Sequence, residues 1–289
     1  MHLRHCIIDT HTHFYDPSRP QGVPCPPADN KLLYRTVLPE HYRMLAVPEG
    51  VAGTVVVEAS DWLEDNQWIL GLAAQDPFIV GLVGHIDPGQ AEFGEHLWRF
   101  ASNPLFRGVR CGARYFEDVS NSRFLADMET LVAGDLALDM LVRREHIEGL
   151  CQLARRVPEL RIVVDHIAHM PIDGGRLDAA WTEAYQQMAA RPHIYVKVSA
   201  LMEQSVVQPV PEDADFYRPA LDALWEAFGE DRLIYGSNWP VCERAGSFAQ
   251  GIRIVKAYFV EKGEQAAEKC FWRNAKAVYK YVDRAGEQN

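Results

Sequence analysis

The first apolar run of the chain ends in two histidines one residue apart, Ile7-Ile8-Asp9-Thr10-His11-Thr12-His13. On a strand, alternate side chains share a face, so His11 and His13 point together with Asp9 one step below. Imidazoles about 6–7 Å apart on one face can both reach a single divalent ion. Two histidines packed at a strand end leave the same trace, so the spacing alone leaves both readings open. Further polar and charged residues punctuate the later apolar runs, mostly near their ends. They are Glu58, His85 and Asp87, Arg110 and Arg114, Asp139, Asp165 and His166, Lys197 and Ser199, and Asn238. A buried charge is costly unless paired or ligated. So many on converging strands imply one polar centre.

Each of these residues has a plainer alternative. Neighbours on a strand face opposite ways, so one of Asp165 and His166 is expected to point inward, with His166 preferred. Asp139 can buffer a neighbouring charge without touching a ligand. Lys197 either reaches inward as a substrate contact or pairs on the outer side. His169 lines the mouth or sits in solvent. Glu58 and Arg110 stand out because each ends a strand after apolar residues.

The elements that would position these groups recur eight times. The strand runs are Cys6–His11, Gly53–Ala59, Ile79–Asp87, Phe106–Gly112, Leu136–Val142, Arg161–His166, Ile194–Ala200 and Leu233–Ser237. Unbroken apolar stretches such as Thr54-Val55-Val56-Val57 suit strands buried on both faces, as in a parallel sheet. Helical patterns lie at Leu63–Gln75, Ala91–Ala101, Asn121–Gly134, Arg144–Val157, Leu177–Ala190, Tyr217–Phe228, Ser247–Lys262 and Glu264–Tyr281. Strands alternating with helices predict a (β/α)₈ barrel, one domain over residues 1–289. Two connections, 14–38 and 201–216, are long and carry prolines. Both leave the carboxyl ends of strands, where long loops serve as lids or pocket walls.

Composition narrows the function classes. Apolar residues make up 48% and charged residues 24%, ordinary for a globular protein. A net charge of -11 offers no basic surface for nucleic acid or anionic lipid. No apolar run approaches the ~18 residues of a membrane span. The start lacks a signal-peptide core, and the six cysteines form no CxxC pair. A cytoplasmic protein without disulfides, acting on a small molecule, is the expectation.

Several stretches resemble a known family: Asp9–Pro17 (DTHTHFYDP), Leu38–Ala59, Phe106–Arg110 (FRGVR), Leu136–Arg143, Asp165–Pro171 (DHIAHMP), Val196–Leu201 (VKVSAL), Asp231–Cys242 (DRLIYGSNWPVC) and Asn274-Ala275. Their order and spacing resemble the amidohydrolase superfamily, in its amidohydrolase-related branch, and there the lactonases of sugar acids and of 2-pyrone-4,6-dicarboxylate. The resemblance spans nearly the whole chain. It implies a hydrolytic site at the carboxyl ends of barrel strands. By position His11 and His13 match the first-strand histidines and His166 the sixth-strand histidine. Two-metal members use a carboxylated lysine on the fourth strand, where this chain has FRGVR, so at most one ion is expected. His11, His13 and His166 as ligands suit Zn²⁺; a metal-free site is the alternative.

The departures matter as much. The family's eighth strand normally ends Gly-Ser-Asp-Trp-Pro, and its Asp activates water. Here Asn238 stands in Gly236-Ser237-Asn238-Trp239-Pro240. An amide cannot take a proton at neutral pH, though it can orient a water. Either the Asn is an engineered change, or another base serves (Glu58, Asp9 or a histidine), or the chain binds without catalysis. His169 also stands where the lactonases often have Lys. The resemblance implies lactone opening by activated water, with His11, His13 and His166 at the reacting centre and Asn238 in the place of the Asp; Glu58, at its strand's end, joins them as a candidate base. Arg110 and Arg114 are candidates for the oxyanion or a substrate carboxylate. Trp239, with Tyr15 and Trp62, offers a stacking wall or mere packing. A metal-dependent decarboxylase of the same superfamily and a catalytically impaired binder are the competing readings.

Overall fold

In the computed structural model, which describes residues 7–116 and 119–284, eight parallel strands follow one another around a single barrel domain. They are β1 (Ile7–Thr12), β2 (Val51–Val57), β3 (Ile79–Gly84), β4 (Phe106–Gly112), β5 (Ala137–Leu141), β6 (Arg161–Val164), β7 (Ile194–Val198) and β8 (Leu233–Tyr235). The ring closes just beyond β8, where Asn238 N donates to His11 O at 2.8 Å and His13 N to Trp239 O at 2.9 Å. Gly236 is needed there, because a Cβ on it would meet His11 Cβ at 2.8 Å. Cys6, expected to begin the first strand, lies outside the described residues.

Alternation explains two apolar layers. Val56 packs outward against the helices, while Val55 and Val57 point into the barrel with Ile8, Val83, Val163 and Ile234. Unbroken apolar strands follow from this burial on both faces. The helices are α1 (Pro39–Ala46), α2 (Asp65–Gln75), α3 (Phe93–Ala101), α4 (Ser122–Ala133), α5 (Ile147–Arg156), α6 (Ala179–Ala189), α7 (Ala214–Phe228), α8 (Phe248–Glu261), α9 (Glu264–Glu268) and α10 (Asn274–Tyr279). Side-chain oxygens of Asn121, Asp178, Asp213 and Ser247 cap α4, α6, α7 and α8. None of the described helices is long and apolar enough to cross a membrane.

The structure departs from expectation in several places. Helix α1 sits in what reads as open chain between the first two strands; eight residues give too short a period to detect. The cap at Asp213 starts α7 three residues early. The expected helix over 264–281 is helical as far as Tyr279, but a π-helical turn at Lys269–Arg273 lies between α9 and α10. Strands β3, β6, β7 and β8 stop short of their polar ends, which turn into the loops above the barrel.

Helix α10 lies across the amino ends of the strands. Arg107 on β4 and Arg161 on β6 donate to the carbonyls of Tyr279 (2.8 Å) and Val278 (2.7 Å). Val278 and Tyr279 join the interior apolar layer, so α10 stoppers the barrel from below.

Candidate active site

A buried column of charge rises through the barrel. Tyr279 donates to both oxygens of Asp139, at 2.8 and 2.9 Å. Lys197 Nζ lies 2.5 Å from Asp139 Oδ2, 3.1 Å from Asp165 Oδ1 and 3.1 Å from His11 Nδ1. Arg110 Nε donates to Asp165 Oδ2 at 2.9 Å, and its Nη1 reaches Glu58 Oε1 at 3.3 Å. Burial pushes the Asp165 carboxyl up, but Lys197, His11 and Arg110 outweigh it and hold it well below the usual carboxylate range.

Four imidazoles stand at the top of the column. Burial, reinforced by Lys197, lowers His11 far below its ordinary value, and burial does the same to His166. Burial and then Arg110 push His13 down to about 4. Near neutral pH these three rings are uncharged. His13 Nδ1 lies 3.0 Å from Val57 O and His169 Nδ1 3.1 Å from Val142 O. A carbonyl only accepts, so each Nδ1 carries the proton and each Nε2 keeps its lone pair. His166 Nδ1 pairs with Ser199 Oγ at 2.9 Å.

The backbone just above the strands makes this convergence possible. His166, Ile167, Ala168 and His169 all take left-handed conformations, with φ of 54°, 51°, 57° and 57°. Each non-glycine residue there costs roughly 1–2 kcal/mol. The turn lets Asp165 and His166 both face the site, contrary to the expected choice between them. Strand alternation fails because β6 ends at Val164. Ala200 (φ 55°) and Asn238 (φ 62°) turn the same way at the ends of the next two strands.

Above this floor opens a cleft of about 590 Å³, lined by His13, Glu58, Arg110, His166, His169 and Asn238. Its walls come from the two long connections: Tyr15, Cys25 and Leu33 on one side, Met202, Glu203 and Gln204 on the other. Arg143 and Arg244 also line it. Burial raises the carboxyl of Glu58 against the pull of Arg110. Burial likewise raises Glu203 to about 6, although Asn238 Nδ2 donates to its Oε1 at 2.9 Å.

Three expected substrate contacts lie elsewhere. Lys197 is 0% exposed and below the floor, its ammonium held by Asp139 and Asp165. Trp239 is 1% exposed, packs on Phe14 and Tyr42, and donates to Glu243 at 2.9 Å. Arg114 is 64% exposed and pairs with Asp87 outside the cleft lining. Asp9, a possible base, is spent on His11 N, Ser237 N and Tyr42. Trp62 lies off the cleft, whereas Tyr15 lines it. The reading of single residues missed Arg143, Glu203 and Arg244. Their signal was faint: Arg143 and Arg244 sit beside other charges (Arg144, Glu243), Glu203 is a lone charge, and of the three only Glu203 lies in a loop that stood out by length.

The donors fit a single metal ion, though not the expected three histidines. Among the described residues, His11, Asp165 and His166 bring ligand atoms within 4.8 Å of one another. His11 Nε2 is buried with no hydrogen-bond partner among the described residues, a cost that a cation would relieve. Asp165 enters in place of His13, which stands beside the cluster, its ring centroid 4.9 Å from that of His11.

The sequence profile of the amidohydrolase family (Amidohydro_2) matches residues 8–281. An L-fucono-1,5-lactonase of Burkholderia ambifaria is 34% identical over 247 residues, covering 83% of this chain and 82% of the relative. An L-fucono-1,5-lactonase of Burkholderia multivorans is 26% identical over 276 residues, 92% of each chain. A crystal structure of an amidohydrolase from Burkholderia multivorans with bound zinc matches with a TM-score of 0.83 at 24% identity, covering 96% of this chain and 100% of that one. The motifs, the closed ring of strands and a profile match over most of the sequence agree: the chain belongs to the amidohydrolase family.

Proposed function

We propose that this hydrolase opens the ring of a sugar-acid lactone, or of a related carboxylated lactone, by attack of water. One observation carries the reading: uncharged imidazoles, a guanidinium and two carboxylates converge on the floor and wall of one cleft. Ester opening needs an activated water, a polarised carbonyl and a route for a proton to the departing alkoxide. The 34% identical L-fucono-1,5-lactonase supports this reaction class over decarboxylation.

The residues divide the work. Arg110, fixed between Asp165 and Glu58, presents a permanent positive charge to the carbonyl oxygen. His13 and His169 offer Nε2 lone pairs to substrate hydroxyls or water. Asn238, its amide on Glu203, orients the attacking water. His11, Asp165 and His166 would hold one divalent ion, Zn²⁺ being the ion bound in the Burkholderia multivorans structure. When bound, it would polarise the carbonyl or lower the pKa of water. Lys197 and Arg110 already neutralise Asp165, so affinity should be modest.

The test is a panel of five- and six-membered sugar-acid lactones, followed by proton release, with and without chelator and added Zn²⁺. Turnover on at least one lactone, above its spontaneous opening, is expected. Binding of these lactones without turnover would sink the reading and leave the binder.

A further inference from the structure

Two carboxylates line the cleft, and they are held differently. Glu58 is tied to a cation, since Arg110 Nη1 lies 3.3 Å from it. Glu203 instead accepts from an amide, Asn238 Nδ2, at 2.9 Å. A guanidinium draws down the basicity of the carboxylate it touches and occupies the lone pair a proton would take; a neutral amide draws it down less.

The loop that carries Glu203 is fixed. Ala200 begins it in the left-handed conformation, φ 55°. Leu201 and Met202 are buried just before it. Gln204 N donates to Ala200 O at 3.1 Å and Ser205 N to Met202 O at 3.1 Å. The strand-like pairing of Ile172 N with Gln204 O (2.8 Å) and Val206 N with Ile172 O (2.9 Å) straps the loop to the segment after β6. Such bracing suits a group that must sit within a fraction of an ångström of its target.

We propose that Glu203 is the general base of the hydrolysis, positioned by Asn238, so that the loop after β7 supplies the carboxylate that position 238 lacks. The assignment rests on the lactone-opening reading above. Glu203 takes a proton from water as the water oxygen bonds to the lactone carbonyl carbon. When the tetrahedral adduct collapses, the ring C–O bond breaks and Glu203 returns that proton to the alkoxide. Lactone and water give a hydroxy acid, with no other reactant.

The surroundings set the pH at which this works. Burial raises the carboxyl to about 6; the Asn238 hydrogen bond and the more distant charge of Arg244 pull the other way. Tyr217 on α7 and Cys242 after β8 also face it; both are neutral, their own values raised by burial and by Glu203. The base is therefore ionised above about pH 6 and idle below it.

The test compares the wild type with Glu203→Gln, Glu203→Asp and Asn238→Asp on a lactone the wild type turns over, as kcat and kcat/KM against pH. Wild-type activity should rise through about pH 6 with unit slope. Glu203→Gln should lose on the order of 10²-fold in kcat and lose that limb, with KM little changed. Glu203→Asp should recover part of the rate. Asn238→Asp sets a second carboxylate against the first and should move the limb up by roughly a pH unit or more. A folded Glu203→Gln protein within threefold of wild type, or a limb that Asn238→Asp leaves in place, overturns the assignment while the hydrolase reading stands. A wild type inert towards every lactone overturns both.

Discussion

The two ends of this barrel solve opposite problems with similar residues. At the amino ends of the strands, α10 closes the interior, and the charge of Asp139 is met by Lys197 and by the Tyr279 hydroxyl. At the carboxyl ends the polar atoms are left short. His11 Nε2 has no hydrogen-bond partner among the described residues, and burial holds Glu58 and Glu203 above their ordinary values. The lower end spends its polar groups on each other and gains rigidity. The upper end keeps them underused, along with several residues in left-handed backbone, and so stays able to bind and react. Lys197 separates the two regimes, its single ammonium shared between Asp139 below and Asp165 above.

Removing the separator should have the largest effect. Lys197→Met leaves two buried carboxylates facing each other, so a loss of about 3–5 kcal/mol is expected in urea unfolding. A loss below about 1 kcal/mol would mean that one carboxyl is protonated already and that the two ends are not linked through this ammonium. Next comes the stopper. Tyr279→Phe removes the hydroxyl from Asp139 and should cost about 1–2 kcal/mol, with the lactone KM unchanged. A changed KM would show that the lower end shapes the cleft directly.

The upper end should respond with the opposite sign. Glu203 has an ordinary value of 4.5 and a folded-state value of about 6. Below 4.5 it is protonated folded or unfolded, so the variant gains nothing there. As pH rises through 6 the folded protein must bury its charge, and the wild type loses stability. Glu203→Gln should therefore be more stable by roughly 1–2 kcal/mol at pH 8 and equal at pH 4, by thermal unfolding. Equal stability at both pH values would remove the claim that this end is electrostatically strained. The smallest effect belongs to neither end. Arg114→Ala breaks an exposed pair with Asp87 and should change stability by less than about 0.5 kcal/mol and kcat/KM hardly at all.

What could be read from the sequence follows the same division. The lower barrel obeys local rules: Val55, Val56 and Val57 announce a doubly buried strand, and eight such runs announce the ring. His11 and His13 were legible because they still lie at or next to a regular strand. The upper end breaks the rules that made the rest readable. Left-handed backbone at His166 to His169 puts adjacent side chains on one site, which no alternation pattern foretells. Glu203 comes from a loop whose course depends on pairing with Ile172, far away in sequence. Trp239 drew notice because aromatic rings line sugar sites, yet its neighbours Phe14 and Tyr42 decide its role. Arg114 lies four residues beyond Arg110, but β4 ends between them at Gly112, so they diverge.

Helix α10 has a consequence for how the chain comes into being. Its Tyr279 hydroxyl is bonded to Asp139, which in turn holds the lysine beside His11. During translation every strand, and every residue lining the cleft, emerges from the ribosome before Tyr279 does. A nascent chain can thus assemble the ring yet lack the contact that completes its innermost charge network. Premature termination after β8 would leave the barrel open from below, with Asp139 missing one of its two partners. Of the described elements, α10 is the last in chain order to join that network.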